Sequence, residues 1–374
     1  METRHRNSGR IAHLILQPRF SGAEILVREL ASRQCGQWDK VAVIALLPSE
    51  EEFLPALEFL RSKGVEVFVP DRHLNRIESL FFFRKAVASF KPSCIFAHSV
   101  LPGFYARGSF LLLPCPMVTV LHDGSCQDYH DAKLSFVENI LTHRLSGLIA
   151  VNPRALESYA AIIRDRSSIS HVIPNGITLD RFSVGNSGRE SVRESLGLDS
   201  SCKLLVQVGR INRVKRQHLT VRAVRELTME GRKIKTLFAG IIEDHEYQKE
   251  CVREAGDLDI HFLGSRSDIS ELMNAADILL MPSYEEAHSV AFLEALASGK
   301  LIVASRIPSF LPYELMDGVH LVDPETGEYK NSISQYLDID SSNFPRDMSE
   351  FTIERTCEAY NTVARDLITN AAAS

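Results

Sequence analysis

The segment from Asp277 to Ala304 reads DILLMPSYEEAHSVAFLEALASGKLIVA, two short apolar runs separated by a polar loop and a helix-forming stretch. The apolar runs, residues 277–281 and 301–304, have the length and composition of buried strands. The order strand, loop, helix, strand is that of a βαβ unit, in which the two strands are parallel neighbours. The segment therefore predicts an open α/β sheet.

Two glutamates of this segment lie where α/β sheets bind ligands. Glu286 falls in the loop past the first strand, and Glu294 lies eight residues later, in the first turns of a helix that begins near Ser289. Open sheets bind ligands at the carboxyl ends of their strands. The N–H groups of Ala287, His288 and Ser289 would be unsatisfied donors at a helix N-terminus, which favours a phosphate or sugar hydroxyl. Either glutamate alone is more simply a solvated charge; together they suggest acceptors for hydroxyl groups.

Length and composition describe an ordinary globular protein. The 374 residues exceed one compact core and predict two domains, and the hydrophobic and charged fractions, 45% and 24%, are average. There is no apolar run of about 18 residues and no pattern of a secretory signal, so we expect a cytoplasmic protein. The net charge of −6 argues against a general nucleic-acid binder, and seven scattered cysteines without a Cys-x-x-Cys pair predict reduced thiols.

Apolar, strand-like runs alternate with helical patterns along the whole chain, which predicts doubly wound parallel sheets. One set of alternating elements fills residues 1–180, and a second set fills residues 201–348. Residues 181–200 between them are rich in Ser, Gly and charge, as is typical of an interdomain linker. A last helical pattern covers residues 349–370.

The two glutamates and their flanks, Pro282-Ser283 before and Glu294-Ala-Leu-Ala-Ser-Gly299 after, resemble the signature of retaining GT-B glycosyltransferases of the family-four type (glycosyl transferases group 1). This resemblance implies an α/β fold with two Rossmann-like, doubly wound domains facing a central cleft. It also implies that the last helix packs back on the N-terminal, acceptor-side domain. Three further motifs that resemble those of the family precede this segment, in the order the family has them: Phe20-Ser-Gly-Ala-Glu24, Ile173-Pro-Asn-Gly-Ile177 and Val208-Gly-Arg210 with Lys215.

The resemblance assigns the C-terminal domain to a nucleotide-sugar donor. A guanidinium fork and an ammonium suit a diphosphate, and the family residues that match Arg210 and Lys215 hold that group. Glu294 resembles the family's ribose-binding glutamate, and Glu286 resembles its donor-sugar partner. The other donor-binding residues implied in this way are Gly22, Gly264, Ser265, Arg266, Ala287, His288, Ser289 and Val290.

In the N-terminal domain, His122 follows an apolar strand and resembles the family histidine beside the donor sugar. A lone histidine at a strand end is otherwise usually structural. His98 resembles a companion motif near the acceptor, and Ser21 and Asp123 are assigned to the same side. The catalytic residues implied by the resemblance are His122, Arg210, Lys215 and Glu286.

Several positions depart from the family pattern. Arg216 stands where a glycine usually follows the lysine, and Ala287 and Ser289 stand where glycines are frequent. His288 replaces an aromatic or aliphatic residue, so this loop either shapes the sugar pocket or holds a histidine without a ligand role. The run Leu80-Phe-Phe-Phe-Arg-Lys85 has a membrane-binding composition, but a doubly wound domain needs an apolar helix face, and we predict core.

The sequence therefore predicts a retaining hexosyltransferase that moves a sugar from a nucleotide diphosphate sugar to an acceptor hydroxyl in surface polysaccharide, lipopolysaccharide or other glycan assembly. The alternatives are a sugar-nucleotide-binding protein of the same fold with little or no transferase activity, glycosylation of a small natural product, and an epimerase or phosphorylase on the same scaffold. No metal or cofactor is expected, because no cluster has metal-ligand spacing. Expected partners are the donor and a glycan, lipid-linked or small-molecule acceptor, with peripheral association at the inner membrane face left open and no nucleic acid.

Overall fold

The structure is a computed structural model that describes residues 7–109, 115–122, 131–163, 169–182, 186–325, 327–339 and 344–373. The chain divides into two compact units. The first unit takes its residues from Met1–Gly176 and Phe351–Ser374, and the second spans Ile177–Glu350. The first unit is thus built from two separate stretches of the chain.

The first unit begins with an alternating series of strands and helices. Side chains cap free backbone N–H groups at the start of several of its helices: Asn75 and Glu78 form a capping box at α3, Asp131 accepts from Lys133 N–H and Leu134 N–H at α5, and Asn152 accepts from Ala155 N–H at 2.7 Å at α6. The strands are β1 Asn7–Ile15, β2 Trp38–Ala45, β3 Glu66–Phe68, β4 Cys94–His98, β5 Met117–Leu121, β6 Gly147–Ala150 and β7 Ile169–Val172; the helices are α1 Gly22–Gln34, α2 Leu54–Ser62, α3 Arg76–Phe90, α4 Val100–Gly108, α5 Ala132–Leu141 and α6 Pro153–Ile162.

In the described residues these strands form a seven-stranded sheet in the order β3-β2-β1-β4-β5-β6-β7. Every pairing is parallel, with Ile11 opposite Cys94 between β1 and β4 and His98 opposite Val120 between β4 and β5. The chain order reverses between β1 and β4, so the loops that follow these two strands diverge. This is the point of an open sheet where a ligand crevice forms.

The second unit repeats the arrangement with a smaller sheet. Its described strands follow the order β10-β9-β8-β11-β12-β13, all parallel, and the order reverses between β8 and β11. The strands are β8 Lys203–Val208, β9 Ile234–Ala239, β10 Ile260–Phe262, β11 Ile278–Met281, β12 Leu301–Ser305 and β13 Val319–Val322; the helices are α7 Asn186–Ser195, α8 Gln217–Met229, α9 His245–Ala255, α10 Ile269–Ala275, α11 Val290–Ala297 and α12 Gly327–Leu337.

The stretch expected to be a linker contains α7, which is fastened to the second unit. Arg189 and Arg193 donate to the two carboxylate oxygens of Asp277, at 2.5 Å and 2.9 Å. Asp277 in turn accepts from the backbone N–H of Leu204 at 2.7 Å, at the start of β8. Because these bonds are partly buried and charge-assisted, α7 forms an integral part of the second unit.

The last helix, α13 (Ile353–Ala373), packs on the first unit. Its buried face, which includes Ile353 and Tyr360, joins the core beneath β1 and β4. At Gly176 an added Cβ atom would lie 2.4 Å from the carbonyl oxygen of Thr352, so the two chain segments meet there in direct backbone contact. Helix α13 therefore completes the hydrophobic core of the first unit.

Both doubly wound sheets predicted from the alternation of elements are present. The sequence pattern gave no indication of β7 or of the helices α4, α6, α9 and α12. Strand β7 is short and mostly exposed, and α9, with the sequence HEYQKECVREA, buries only Tyr247, Cys251 and Ala255. Elements with so few buried positions carry little hydrophobic periodicity.

The aromatic run of α3 divides between core and surface. Phe83 is fully buried, as predicted, and packs among residues of β1, β2 and β4. Phe81 instead points outward with 62% of its surface exposed, and the Arg84 guanidinium lies 5.9 Å from its ring. None of the helices in the described ranges combines the length and the apolar character needed to cross a bilayer.

Gly240, after β9, provides a test of the loop packing at the sheet edge. Its φ is +153°, and an added Cβ atom would lie 2.1 Å from the carbonyl oxygen of Gly209. We expect Gly240→Ala to destabilise the second unit by roughly 3 kcal/mol or more, because the backbone atoms must separate. Gly231→Ala is the matched control, since Gly231 has a φ of +90° but open space around it; roughly 1 kcal/mol is expected there. Denaturant titrations followed by circular dichroism measure both, and equal costs would contradict the steric argument.

Candidate functional site

The loops after β8 and β11 lie next to each other at the point where the strand order of the second sheet reverses. Arg210 and Lys215 are in the first loop, and Glu286 is in the second. The backbone N–H of Tyr284 donates to the carbonyl oxygen of Val214 at 2.7 Å and ties the two loops together. Three of the four residues predicted to be catalytic are therefore at one edge of one sheet.

Lys215 and Glu286 form an ion pair that is largely shielded from water. The Lys215 Nζ donates to Glu286 Oε1, and the two side chains are only 12% and 10% exposed. The Ser283 hydroxyl donates to the same oxygen at 2.8 Å. The Lys215 stem runs past Gly209, where an added Cβ atom would be 3.4 Å from the lysine Cε. An ammonium held in this way is pre-oriented, and an anionic ligand that reaches it competes with the Glu286 carboxylate.

The main chain around Lys215 is held by polar side chains. Gln207 Nε2 donates to the Lys215 carbonyl at 2.7 Å, and the Lys215 N–H donates to Asn212 Oδ1 at 3.1 Å. Arg216, which replaces the usual glycine, has the left-handed conformation with φ +52° and ψ +42° at the start of α8. Its guanidinium lies 4.7 Å from the Tyr284 ring. The backbone therefore keeps the shape that a glycine would favour, at a cost of roughly 1 kcal/mol.

Arg210 is paired with an acid in this structure. Its guanidinium donates to Glu243 Oε1 at 2.7 Å, while Asn212 Nδ2 donates to Glu243 Oε2 at 2.6 Å. The Arg210 side chain is 41% exposed, so the pair is accessible to water and weak. An anionic ligand that reaches Arg210 therefore competes with Glu243 for the guanidinium.

Helix α11 begins at Val290, directly after the loop that carries Glu286. Ser289 is its N-cap and accepts from Phe292 N–H at 3.3 Å, and Glu294 follows on the second turn of the helix, partly buried. Ala287 lies in the loop between Glu286 and the cap. The predicted helix start near Ser289 is confirmed, and the N-terminus of α11 follows the carboxyl end of β11.

His288 packs against Tyr313, a residue that the sequence did not single out. The His288 Nε2 is 3.3 Å from the Tyr313 hydroxyl. Burial lowers the pKa of His288 to about 4 and raises the pKa of Tyr313 to about 12, so both groups are neutral near pH 7. The neutral pair presents hydrogen-bonding groups without charge next to Glu286.

The loop after β10 contains the remaining predicted donor-binding residues. Gly264 has a φ of +67°, and its carbonyl oxygen accepts from Gly240 N–H at 2.8 Å. Ser265 is partly buried. Arg266 is exposed, and its guanidinium bonds both carboxylate oxygens of Asp268 at 2.7 Å and 2.5 Å. The backbone of this loop is thus linked to the end of β9, and the Arg266 side chain is paired with Asp268.

In the first unit, His13, His98 and His122 form a row across β1, β4 and the end of β5. His13 Nδ1 is 3.0 Å from His98 Nε2, and His98 Nδ1 is 3.0 Å from His122 Nε2. His98 is only 2% exposed, and both its ring nitrogens face other histidines. Its assignment to the acceptor side remains a prediction, and any effect of His98 on a ligand passes through His122.

The loop after β1 holds the other predicted residues of the first unit. Ser21 is the N-cap residue of α1, and its hydroxyl donates to the Glu24 carboxylate; Gly22 is exposed and begins the helix. Asp123 lies outside the described residues. The part of the chain that is described contains no group of three or more His, Cys, Asp or Glu side chains placed to hold a metal ion. With residues 123–130 outside it, the expectation of no bound metal stays a prediction.

Other residues supporting the site could not be identified from the sequence. Ser283 comes directly after the motif proline, yet serine in a loop carries no signal of bonding a glutamate. Glu243 and Asn212 belong to two different loops, and only the fold brings them together. His13 is the single ionisable residue in the apolar run Ile11-Ala-His-Leu-Ile-Leu16, and this polar interruption of a strand is the one signal by which the sequence could have marked it.

Two family models match the chain. The model described as Glycosyltransferase Family 4 covers residues 20–181, and the model described as Glycosyl transferases group 1 covers residues 188–355. Together they account for most of the chain and follow each other in order. The chain belongs to the group 1 glycosyl transferases.

Curated relatives in this family match over part of their length. The lipopolysaccharide glucosyltransferase WaaG of Escherichia coli is 30% identical over 169 residues, which are 43% of this chain and 45% of WaaG. The D-inositol 3-phosphate glycosyltransferase of Mycolicibacterium smegmatis is 32% identical over 197 residues, 50% of this chain and 44% of that protein. The chain spans about half the length of the curated relatives it matches.

Solved structures match nearly the whole chain in fold. HepE from Anabaena, solved with UDP and glucose, has a TM-score of 0.79 at 20% identity, with 96% of this chain and 100% of HepE covered. WaaG has a TM-score of 0.70 at 17% identity, with 97% and 98% covered. The predicted GT-B class, with two Rossmann-like doubly wound domains, is confirmed. The match to the group 1 model includes Arg210, Lys215, Gly264, Glu286 and Glu294.

The buried histidine row predicts how the first unit responds to acid. Burial lowers the pKa of His13 to about 4, whereas the unfolded chain has a value near 6.5. The unfolded state therefore binds more protons, and the stability present above about pH 6.5 is lost as the pH falls toward 4. At about pH 5 the loss is roughly 2 kcal/mol for this one histidine.

Trp38, the single tryptophan, is buried in the first unit and reports its unfolding by fluorescence. Denaturant titrations at about pH 7.5 and about pH 5 are expected to give a lower free energy of unfolding at the acid pH. In His13→Gln this difference should shrink by roughly 2 kcal/mol. Carboxylates that titrate in the same range contribute equally in both proteins, so the variant controls for them. If the pH-dependent difference in unfolding free energy is the same in both proteins, burial of a neutral His13 is not its cause.

Proposed function

We propose that this protein is a retaining glycosyltransferase that moves a sugar from a nucleotide diphosphate sugar to an acceptor hydroxyl. The observation that carries the proposal is the shielded Lys215–Glu286 pair at the point where the strand order of the second sheet reverses. The Lys215 cation suits the diphosphate end of a sugar diphosphate, and the Glu286 carboxylate can accept hydrogen bonds from the hydroxyl groups of the sugar. The family to which the chain belongs supports the same chemistry.

Lys215 and Arg210 are proposed to hold the diphosphate. In the transfer step, the bond between the sugar and the diphosphate breaks, and negative charge builds on the departing oxygen. Pre-oriented cations in a water-poor site stabilise that charge without reorganising. Lys215 is already fixed by Glu286 and by its backbone bonds, whereas Arg210 must leave Glu243 to take part.

Glu286 and the N-terminus of α11 are proposed to orient the sugar. Glu286 Oε1 already accepts from two donors, and its carboxylate can accept from sugar hydroxyls as well. The backbone donors near Ala287, His288 and Ser289 lie at a helix N-terminus, which favours oxygen ligands. Val290 begins the helix, and Glu294 is proposed to accept from the ribose hydroxyls.

His122 is proposed to act at the reacting face, and the leaving phosphate is proposed to help deprotonate the acceptor hydroxyl. Burial lowers the pKa of His122 to about 4, so the side chain is neutral near pH 7 and carries one acceptor nitrogen. Ser21, His98 and Asp123 are proposed for the acceptor side, and Gly22 for a close approach of the backbone to the donor. Gly264, Ser265 and Arg266 are proposed to meet the nucleotide base.

The acceptor is proposed to belong to glycan assembly, as a glycan, a lipid-linked glycan or, as the alternative, a small natural product. WaaG is named for lipopolysaccharide, which favours the first class. A cytoplasmic location remains the expectation from the sequence. Peripheral membrane contact is proposed from the outward-facing Ile77 and Phe81 on α3, with the Arg84 guanidinium 5.9 Å from the Phe81 ring. Catalysis without a bound metal is proposed from the absence of metal-ligand spacing in the sequence.

A binding protein with little transferase activity is the second candidate. Ala287 and Ser289 replace frequent glycines, and His288 packs on Tyr313, so side chains rather than open backbone border the sugar position. The two candidates differ in turnover. A panel of uridine and guanosine diphosphate sugars, assayed for nucleotide release and for calorimetric binding, separates them: binding of any donor without release or transfer would rule out the enzyme. Proton NMR of the anomeric centre of the product tests retention directly.

Lys215→Ala is expected to weaken donor binding by at least about tenfold and to slow turnover, because a charge-assisted contact of about 1.5–3 kcal/mol is lost. Arg213→Ala is the matched control. Arg213 lies in the same loop but is 63% exposed and bonds Glu250 at 2.8 Å. Calorimetry with UDP-glucose and GDP-mannose measures both variants. Equal affinity in Lys215→Ala and the unaltered protein would remove Lys215 from the diphosphate site.

Two variants should separate nucleotide binding from chemistry. Glu294→Ala is expected to weaken binding of the free nucleoside diphosphate, because two hydroxyl contacts lose their acceptor. His122→Ala is expected to slow transfer by about a hundredfold, a usual effect for a group that moves or holds a proton, while the nucleotide still binds. Nucleotide affinity and kcat are measured for each variant. Normal kcat in His122→Ala would take this histidine out of the mechanism.

A further inference from the structure

The histidine row of the first unit continues inward to the C-terminal helix. His13 Nε2 is 2.7 Å from Gln34 Oε1 on α1, and Gln34 Nε2 donates to Asn361 Oδ1 on α13 at 3.1 Å. The indole N–H of Trp38 donates to the same Asn361 oxygen at 2.8 Å. A continuous hydrogen-bonded chain thus connects Trp38 with His122 through four intervening side chains.

Each histidine in this chain is neutral near pH 7. Burial lowers the pKa of His13 and His122 to about 4 and moves the pKa of His98 well below its ordinary value. A neutral imidazole has one N–H donor and one acceptor nitrogen. Every contact between two of these rings therefore has a direction, and fixing the direction at one end fixes it at the other.

Trp38 fixes that direction, because an indole N–H can only donate. The Asn361 atom facing Trp38 must be the oxygen, so the Asn361 amide nitrogen points to Gln37, whose Oε1 it meets at 2.6 Å. Since Asn361 Oδ1 is an acceptor, Gln34 must present its amide nitrogen there. Its Oε1 is then left for His13, which must donate from Nε2.

The same rule carries through the row. With its proton on Nε2, His13 accepts at Nδ1 from His98 Nε2–H, and His98 in turn accepts at Nδ1 from His122 Nε2–H. The opposite direction would require Gln34 to turn its amide nitrogen toward His13. Its oxygen would then face an Asn361 oxygen, or the turned Asn361 nitrogen would face the Trp38 N–H. Either arrangement brings two like groups together in the core and leaves a buried polar group without its hydrogen bond, which disfavours it.

We propose that Trp38, Asn361 and Gln34 are positioning residues that hold His122 as the Nε2–H tautomer, with Nδ1 as its acceptor nitrogen. The consequence for activity rests on the proposed function: a substrate hydroxyl donates to His122 Nδ1. A histidine in the other tautomer would present an N–H to that hydroxyl and could not accept from it. The tautomer at the surface end of the row is thereby set by a side chain in the core.

Nitrogen NMR of protein labelled on histidine reads the tautomer directly, since protonated and unprotonated ring nitrogens resonate apart. The sequence has 13 histidines, and the spectrum of His122→Ala identifies the signals of interest. At neutral pH, His122 of the unaltered protein is expected to be protonated at Nε2 and unprotonated at Nδ1. A proton on Nδ1 would overturn the proposal without any variant.

Gln34→Lys tests the direction, because a lysine ammonium can only donate to His13 Nε2 and would reverse each bond of the row. His122 is then expected to carry its proton on Nδ1.

Tyr360→Phe is the matched control: Tyr360 lies beside Asn361 on α13 and stacks on His98, and among the described residues its buried hydroxyl meets no hydrogen-bond partner. The tautomer should be unchanged there. If Gln34→Lys does not fold, Trp38→Phe replaces it, and the second tautomer should then become detectable. A His122 that keeps Nε2–H in the folded variant would overturn the proposal.

Kinetics separate the tautomer from the proposed function. If His122 acts in transfer, Gln34→Lys lowers kcat by about tenfold or more with nucleotide affinity unchanged, because the wrong tautomer faces the substrate. A reversed tautomer with normal kcat would refute the role of His122 and leave the positioning by Trp38 intact. An unreversed tautomer with lowered kcat would refute the positioning and leave the role of His122 open to its own test.

Discussion

The candidate site depends on the reversal of strand order between β8 and β11. Where neighbouring strands are followed by helices on opposite faces of the sheet, the loops after these strands border a crevice in which a ligand can bind. Lys215 and Glu286 come from these two loops, and they pair because the sheet brings the loops together. The same reversal between β1 and β4 creates the setting of the histidine row. The two units thus use one topological rule for two different kinds of chemistry.

Neighbouring polar groups in the two units have different electrostatic roles. In the second unit, Lys215 and Glu286 are charged, and the polar groups around them fix their positions by hydrogen bonds. In the proposed function, Lys215 is thereby oriented toward an anionic ligand. In the first unit, burial keeps the histidines neutral. Their proposed role depends on which ring nitrogen donates and which accepts a hydrogen bond. A charge attracts its ligand over a distance, whereas a fixed tautomer acts only on contact. In the proposed function, donor binding is therefore assigned to the second sheet and proton handling to the first.

The described strands other than β7, and most helices, were predictable because buried elements leave apolar runs of characteristic length. The motif loops were predictable as well, since Glu286, Lys215 and Arg210 stand at fixed distances from such runs. The pairing of Arg210 with Glu243 and of His288 with Tyr313 was not, because each partner comes from a loop distant in sequence. The left-handed conformation of Arg216 could not be predicted either, because arginine rarely adopts it.

The first unit is assembled from both ends of the described chain, and this has a consequence for biosynthesis. Ile353 and Tyr360 belong to its core, and Asn361 accepts a hydrogen bond from Trp38. A ribosome makes Trp38 early and Asn361 only after the whole second unit has been synthesised. The second unit can fold as soon as its own residues have emerged, but the first must wait with part of its apolar core uncovered. Although it is synthesised first, the first unit is the last to be completed.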